Sequence, residues 1–376
     1  MMGRPLETMV QAYLNNPCFG VQCGPVRSPW QRAIPRHEIA NEAWNEVVPL
    51  TEVEGSKSEL VQHLLFNIYE QNLLFLPNKK SGDVNLELFH KFYETGSISQ
   101  GEALRPHLER IAFADLERTV NVTGNWKKKD LEKYVRQIIT EHESSVSEVA
   151  NYIGGCDNPE DALRYIFIQQ APDALSEASG MSRYVGGNYG PVQSELVKIL
   201  VDEFGYGVHE AKHSTLFENF LLSIGVSADV HYYYSLYLPS SLLLANYFHY
   251  ISVNKSLWFR YVGAIYYAEA SLPHVNKQMN KLFAKIFPNS NRAYFTEHAE
   301  IDLHHRKMAF DKILIPSIDL FGESIIPEII RGIEEFRLLL SVHGKILLKE
   351  TTHFLNSTEL PLFESSRLPN LGLKVS

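Results

Sequence analysis

Apolar residues spaced three and four apart, with no competing alternation, restrict this chain to helices. The pattern runs through SKSELVQHLLFNIYEQNLLFL (56–76), DLEKYVRQIITEHESSVSEVANYI (130–153) and SIIPEIIRGIEEFRLLLSVHGKILL (324–348), as a helix with one buried face requires. DNPEDALRYIFIQQ opens on an Asp, a Pro and two acids, which favour a helix start. No alternating run bounded by turn residues, no internal repeat and no low-complexity tract is found. The expected class is all-α, with a helical N-terminal region (1–129), a helical core (130–350) and a C-terminal tail (351–376). The first boundary falls on the loop-like NVTGNWKKKD (121–130).

Composition removes several classes of function. Of the 376 residues 45% are hydrophobic, enough to bury a sizeable core. The net charge of -9 argues against a nucleic-acid binder, which carries a basic face. The most apolar stretch, SLYLPSSLLLANYFHYISV, is broken by Pro239, Ser240, Asn246 and His249, short of the roughly 18 apolar residues of a membrane span. The N-terminal stretch has no apolar core of a secretory signal. Cys18, Cys23 and Cys156 form no CxxC pair, so neither a disulfide framework nor a thiolate metal site is expected. A cytoplasmic protein with a small-molecule partner, and neither nucleic acid nor membrane, is the expectation.

The segment TEHAEIDLHH (296–305) gathers three histidines, two glutamates and an aspartate. On a helix over 290–311, His298, Asp302 and His305 lie at about 0°, 40° and −20°. Glu297, Glu300 and His304 point elsewhere. Two imidazoles and a carboxylate on one stripe suit a divalent metal such as iron, manganese or zinc. A second segment, VDEFGYGVHEAKHSTLFENFLLSIG (201–225), offers Glu210 and His213 at the i, i+3 spacing by which carboxylate-bridged dimetal proteins reach a metal pair. Glu203 falls on the same side if that helix is continuous, with Gly205 and Gly207 as its point of kinking. In SLWFRYVGAIYYAEASL (256–272), Glu269 is the lone acid among apolar and aromatic residues. A buried carboxylate needs a cation or dense hydrogen bonding. Arg260 is about half a turn out of phase, so a metal is the better partner. Glu203, Glu210, His213, Glu269, His298, Asp302 and His305 exceed the four ligands of a structural zinc and suit two irons sharing carboxylates. A ferritin-like carboxylate bundle predicts two Glu-x-x-His pairs instead. A non-catalytic helical interaction protein would leave all seven as surface groups.

The order Glu203, Glu210 and His213, then Glu269, then His-x3-Asp-x2-His resembles the haem-oxygenase-like di-iron oxidase and oxygenase superfamily. The gaps fit it too: 56 residues from His213 to Glu269 and 29 from Glu269 to His298. The resemblance covers about 145–320. It implies a haem-oxygenase-like helical bundle without haem, two Fe(II)/Fe(III) ions, O2 as co-substrate and an external electron donor, possibly a reductase. Family members either oxidise the nitrogen of amino acids or cleave C–C bonds of amino or fatty acids. The extra carboxylate beside His213 and the helical N-terminal extension resemble the N-oxygenating type, acting on an amine- or guanidine-bearing amino acid in natural-product biosynthesis. A homodimer is expected, and no β-domain after the core. Glu177 is the candidate proton acceptor from the substrate amine. Arg292 and Arg306, which flank the metal helix, are candidates to hold a substrate carboxylate.

Overall fold

The computed structural model describes residues 5–20, 28–34, 44–76, 85–176 and 178–357. In chain order its helices are α1 (Leu6–Tyr13), α2 (Ser56–Glu70), α3 (Leu86–Phe92), α4 (Thr95–Thr119), α5 (Lys128–Ser144), α6 (Glu148–Gly154), α7 (Pro159–Ala174) and α8 (Ser179–Ser182). There follow α9 (Pro191–Glu203), α10 (His213–Ser223), α11 (Pro239–Val253), α12 (Trp258–Ile286), α13 (Ala293–Met308), α14 (Ile315–Phe321) and α15 (Ile326–Asn356). Among the described residues no strand forms; one isolated bridge joins Phe19 and Arg32. The all-α class expected from periodicity is the class observed. No helix among them is long and apolar enough to cross a membrane.

Helix α12 is the axis of the molecule and packs along both α13 and α15. Its first half is buried almost all round, from Arg260 to Ser271, as its apolar sequence demands. Two glycines let it approach α15 closely. A Cβ on Gly263 would lie 1.9 Å from the Ile329 carbonyl oxygen, and one on Gly332 would lie 2.0 Å from that of Arg260. No larger residue fits either position without moving backbone. Arg260 faces this seam and pairs with Glu117 (2.7 Å), Glu328 (2.7 Å) and the buried Glu335 (3.5 Å). Its charge is therefore met from α4 and α15, and none of it reaches Glu269.

The N-terminal helices share the core of the rest. Helix α2 packs on α4 and on α11. Buried Arg32 pairs with Glu70 on α2 (2.7 Å), and Glu70 also meets His231 (2.9 Å). Arg32 and His231 together outweigh burial and hold the Glu70 carboxyl below its usual pKa. The Asn246 amide donates to the side-chain oxygen of Gln62 (2.8 Å), linking α11 to α2. Helix α15 runs on to Asn356, so the stretch read as a tail begins as helix.

Candidate metal centre

Helix α9 ends at Glu203 because the next residues cannot continue it. Gly205 and Tyr206 have φ of 60° and 55°, and Gly207 has 81°, the left-handed region that glycine tolerates best. Here the chain doubles back so tightly that a Cβ on Gly205 would sit 2.5 Å from Ala211 C and Lys212 N. Doubling back delivers His213, at the start of α10, to Glu203: Nδ1 and Oε2 are 2.8 Å apart. The continuity across 201–225 that the sequence left conditional fails at the glycines read as its point of kinking, and Glu203 and His213 meet across a turn.

Helix α12 contributes Glu269, and α13 contributes His298, Asp302 and His305, all buried. Asp302 and His305 are 1% and 0% exposed. Glu297, Glu300 and His304, on the other faces of α13, are exposed. Two donor groups result. Glu203, His213 and His298 offer ligand atoms within 4.8 Å of one another, and so do Glu203, Glu269, Asp302 and His305. Glu203 belongs to both.

The remaining candidates lie apart from these groups. Glu210 is exposed on the short turn His209–Ala211, because the break after Glu203 takes it off any helix shared with His213. Arg306 pairs with Glu143 (2.7 Å) and lines a cavity of about 360 Å³ with Arg136, Tyr266 and Leu303. Arg292, just before α13, donates to Asn280 Oδ1 (3.3 Å). Glu177 lies outside the described residues.

Sequence reasoning missed Asp202. It is buried beside Glu203, and His305 Nε2–H donates to its Oδ2 at 3.0 Å. In the neutral ring the second nitrogen is then the lone-pair donor. His305 Nδ1 lies 3.2 Å from Glu269 Oε2 and 3.5 Å from Glu203 Oε1. A carboxylate behind a ligating histidine is how metalloproteins fix ring orientation. His298 is oriented in the opposite sense: its Nδ1–H donates to the Tyr294 carbonyl (2.8 Å), which leaves Nε2 as its donor atom. The one signal in the sequence was a doubled acid, Asp202 and Glu203, directly after the apolar run 199–201 at the end of α9.

Energetically the cluster requires a cation. Asp302 Oδ2 is buried with no hydrogen-bond partner, an arrangement that costs about 1–3 kcal/mol, and His213 Nδ1 and His305 Nδ1 face carboxylate oxygens of Glu203 and Glu269. Burial, with Glu269 and Glu203 alongside, holds the Asp302 carboxyl far above the usual carboxylate range. Burial alone would lower the pKa of His305, but Glu269, Glu203 and Asp202 outweigh it and hold it up to about 10. Protons thus stand where positive charge is required, and a divalent cation would displace them. Nitrogen and carboxylate donors in this mixture fit iron, and no thiolate is among them.

The comparisons agree with this chemistry. Residues 164–336 match a family described as iron-containing redox enzymes. The chain is 41% identical over 346 residues to nitrosourea synthase of Streptomyces achromogenes subsp. streptozoticus, covering 91% of this chain and 73% of that protein. With an all-α fold and these matches, the chain belongs to the haem-oxygenase-like family of iron-containing redox enzymes and is an oxidoreductase.

Proposed function

We propose that this chain is an O2-dependent, non-haem di-iron N-oxygenase of natural-product biosynthesis. Its substrate in this reading is an amine- or guanidine-bearing amino acid or a close derivative. The observation that carries the two-metal reading is Glu203, which is common to both donor groups. A carboxylate common to both groups would serve two metal positions. His213 and His298 would complete one position; Glu269, Asp302 and His305 the other. The related protein is named for making a nitrosourea, a compound with an oxidised nitrogen, which favours nitrogen over carbon as the atom oxidised here.

Iron, when bound, supplies the redox chemistry that activates O2, using electrons from an external donor. The protein's residues supply placement, charge and proton handling. Asp202 fixes the His305 ring from behind. Burial keeps water from the donor groups. An ammonium nitrogen has no lone pair to offer, so the substrate must lose a proton; Glu177 is the proposed acceptor. Of the two arginines, Arg292 is the better candidate for a substrate carboxylate, because its buried Nε has no hydrogen-bond partner. Arg306 already holds Glu143.

The reaction is tested by supplying 18O2 and a panel of amino acids to iron-loaded protein and analysing products by mass spectrometry. The proposal expects label in an N–O bond. Release of CO2, an aldehyde or an alkene without any N–O product would instead assign the chain to the C–C-cleaving oxidases.

A further inference from the structure

A second cavity, of about 420 Å³, lies where the segment between α8 and α9 meets the α11–α12 connection, the start of α12 and the end of α14. Its walls are aromatic: Tyr184, Tyr189, Trp258 and Phe321 line it, together with the cations Arg183 and Lys255. Tyr184 and Tyr189 each stand edge-on to Trp258, at 4.7 and 4.9 Å between ring centres. Their hydroxyls are consumed within the protein, Tyr184 donating to the Ile251 carbonyl and Tyr189 to that of Tyr184 (both 2.6 Å). What remains for a ligand is ring surface and positive charge.

No ion pair among the described residues meets this positive charge directly. Arg183 donates to His249 Nδ1 (2.7 Å) and to the Tyr69 carbonyl (3.3 Å). His249 is an acceptor because burial and Arg183 itself hold its pKa well below the usual value. Lys255 Nζ donates to the carbonyls of Arg183 and Ser252 (both 2.8 Å) and lies 4.2 Å above the Tyr184 ring. Every hydrogen-bond acceptor in this list is neutral. Among the described residues neither cation forms an ion pair, in a chain whose net charge is -9. Two neighbouring cations held by neutral acceptors repel each other, and an anion between them would relieve that repulsion.

The cavity is separate from the metal centre. Trp258 precedes Glu269 by eleven residues on α12, roughly 16 Å of helix rise. Tyr261, buried and tilted against Tyr184 at 4.7 Å between ring centres, has Tyr184 on one side and the Glu269 and Glu203 carboxylates on the other.

We propose that this cavity binds a planar aromatic anion: aromatic walls take the ring, and Arg183 and Lys255 take the negative group. Two sources share that chemistry, a flavin-type nucleotide and an aromatic carboxylic acid. The inference stands apart from the proposed reaction, since it uses none of the donor residues.

Calorimetry and Trp258 fluorescence on the full-length, metal-loaded protein test it. The probes are flavin mononucleotide against riboflavin, and 2-naphthoate against 2-naphthamide. At least one anionic probe should bind about tenfold more tightly than its neutral counterpart, the scale of one charge-assisted hydrogen bond. Which pair shows the difference identifies the source. Lys255→Gln should weaken the anion about tenfold and leave the neutral probe unchanged, whereas Phe321→Ala should weaken both. Lys307→Gln, at the other cavity, should change neither. The inference is overturned if no probe binds at millimolar concentration, if anion and neutral partner bind alike, or if Lys255→Gln has no effect.

Discussion

Asp202 decides which nitrogen His305 offers. With Oδ2 accepting from Nε2–H, the ring once deprotonated faces Glu203, Glu269 and Asp302 with a lone pair. An Asn in its place could donate its amide to Nε2 and favour the opposite tautomer. Asp202→Asn should therefore lower Co(II) affinity by about 10- to 100-fold, the usual cost of losing a partner behind a metal ligand. The fold should persist, and the 15N spectrum of His305, taken at a pH where the ring is neutral, should show the change of tautomer. Unchanged affinity would remove Asp202 from the account. At this scale the sequence is informative where a role follows from spacing along one helix. His298, Asp302 and His305 share a face by helical arithmetic, and Glu269 stands out because its neighbours are apolar. It is silent where a role depends on residues distant in the chain: Asp202 meets His305 across 103 residues, and Arg306 is claimed by Glu143 across 163.

Elements reach the site through close approaches that only glycine permits. The Gly205 turn separates α9 from α10, so the Glu-x-x-His spacing of Glu210 and His213 has no helix to act on. The glycines were visible as a possible kink, but their left-handed geometry and the crossing at Ala211 and Lys212 are tertiary facts. The crossing of α12 and α15 at Gly263 and Gly332 is of the same kind and positions Glu269 on a rigid axis. Gly263→Ala would drive a methyl into the Ile329 carbonyl, and a cost of about 3 kcal/mol or more is expected for such overpacking. Gly344→Ala, on the same α15 with nothing within 4 Å, should stabilise by up to ~1 kcal/mol through helix propensity. Thermal unfolding of the two variants should move in opposite directions; a Gly263→Ala protein as stable as wild type would contradict the packing described.

The whole molecule is one helical assembly in which the region before residue 130 and the region after it bury a common core. The class was legible because helical periodicity recurs between residues 56 and 348. The sharing of the core was not, since Arg32, Glu70 and His231 give no local sign that they will meet. What the assembly achieves is to hold three carboxylates and three imidazoles from α9, α10, α12 and α13 in two groups joined at Glu203. The most direct test is anaerobic Fe(II) titration of metal-free protein, followed by Mössbauer spectroscopy after oxidation. The account predicts two irons per chain, magnetically coupled in the wild type, with the coupling lost in Glu203→Ala. A single iron per chain, or two that are uncoupled in the wild type, would contradict it.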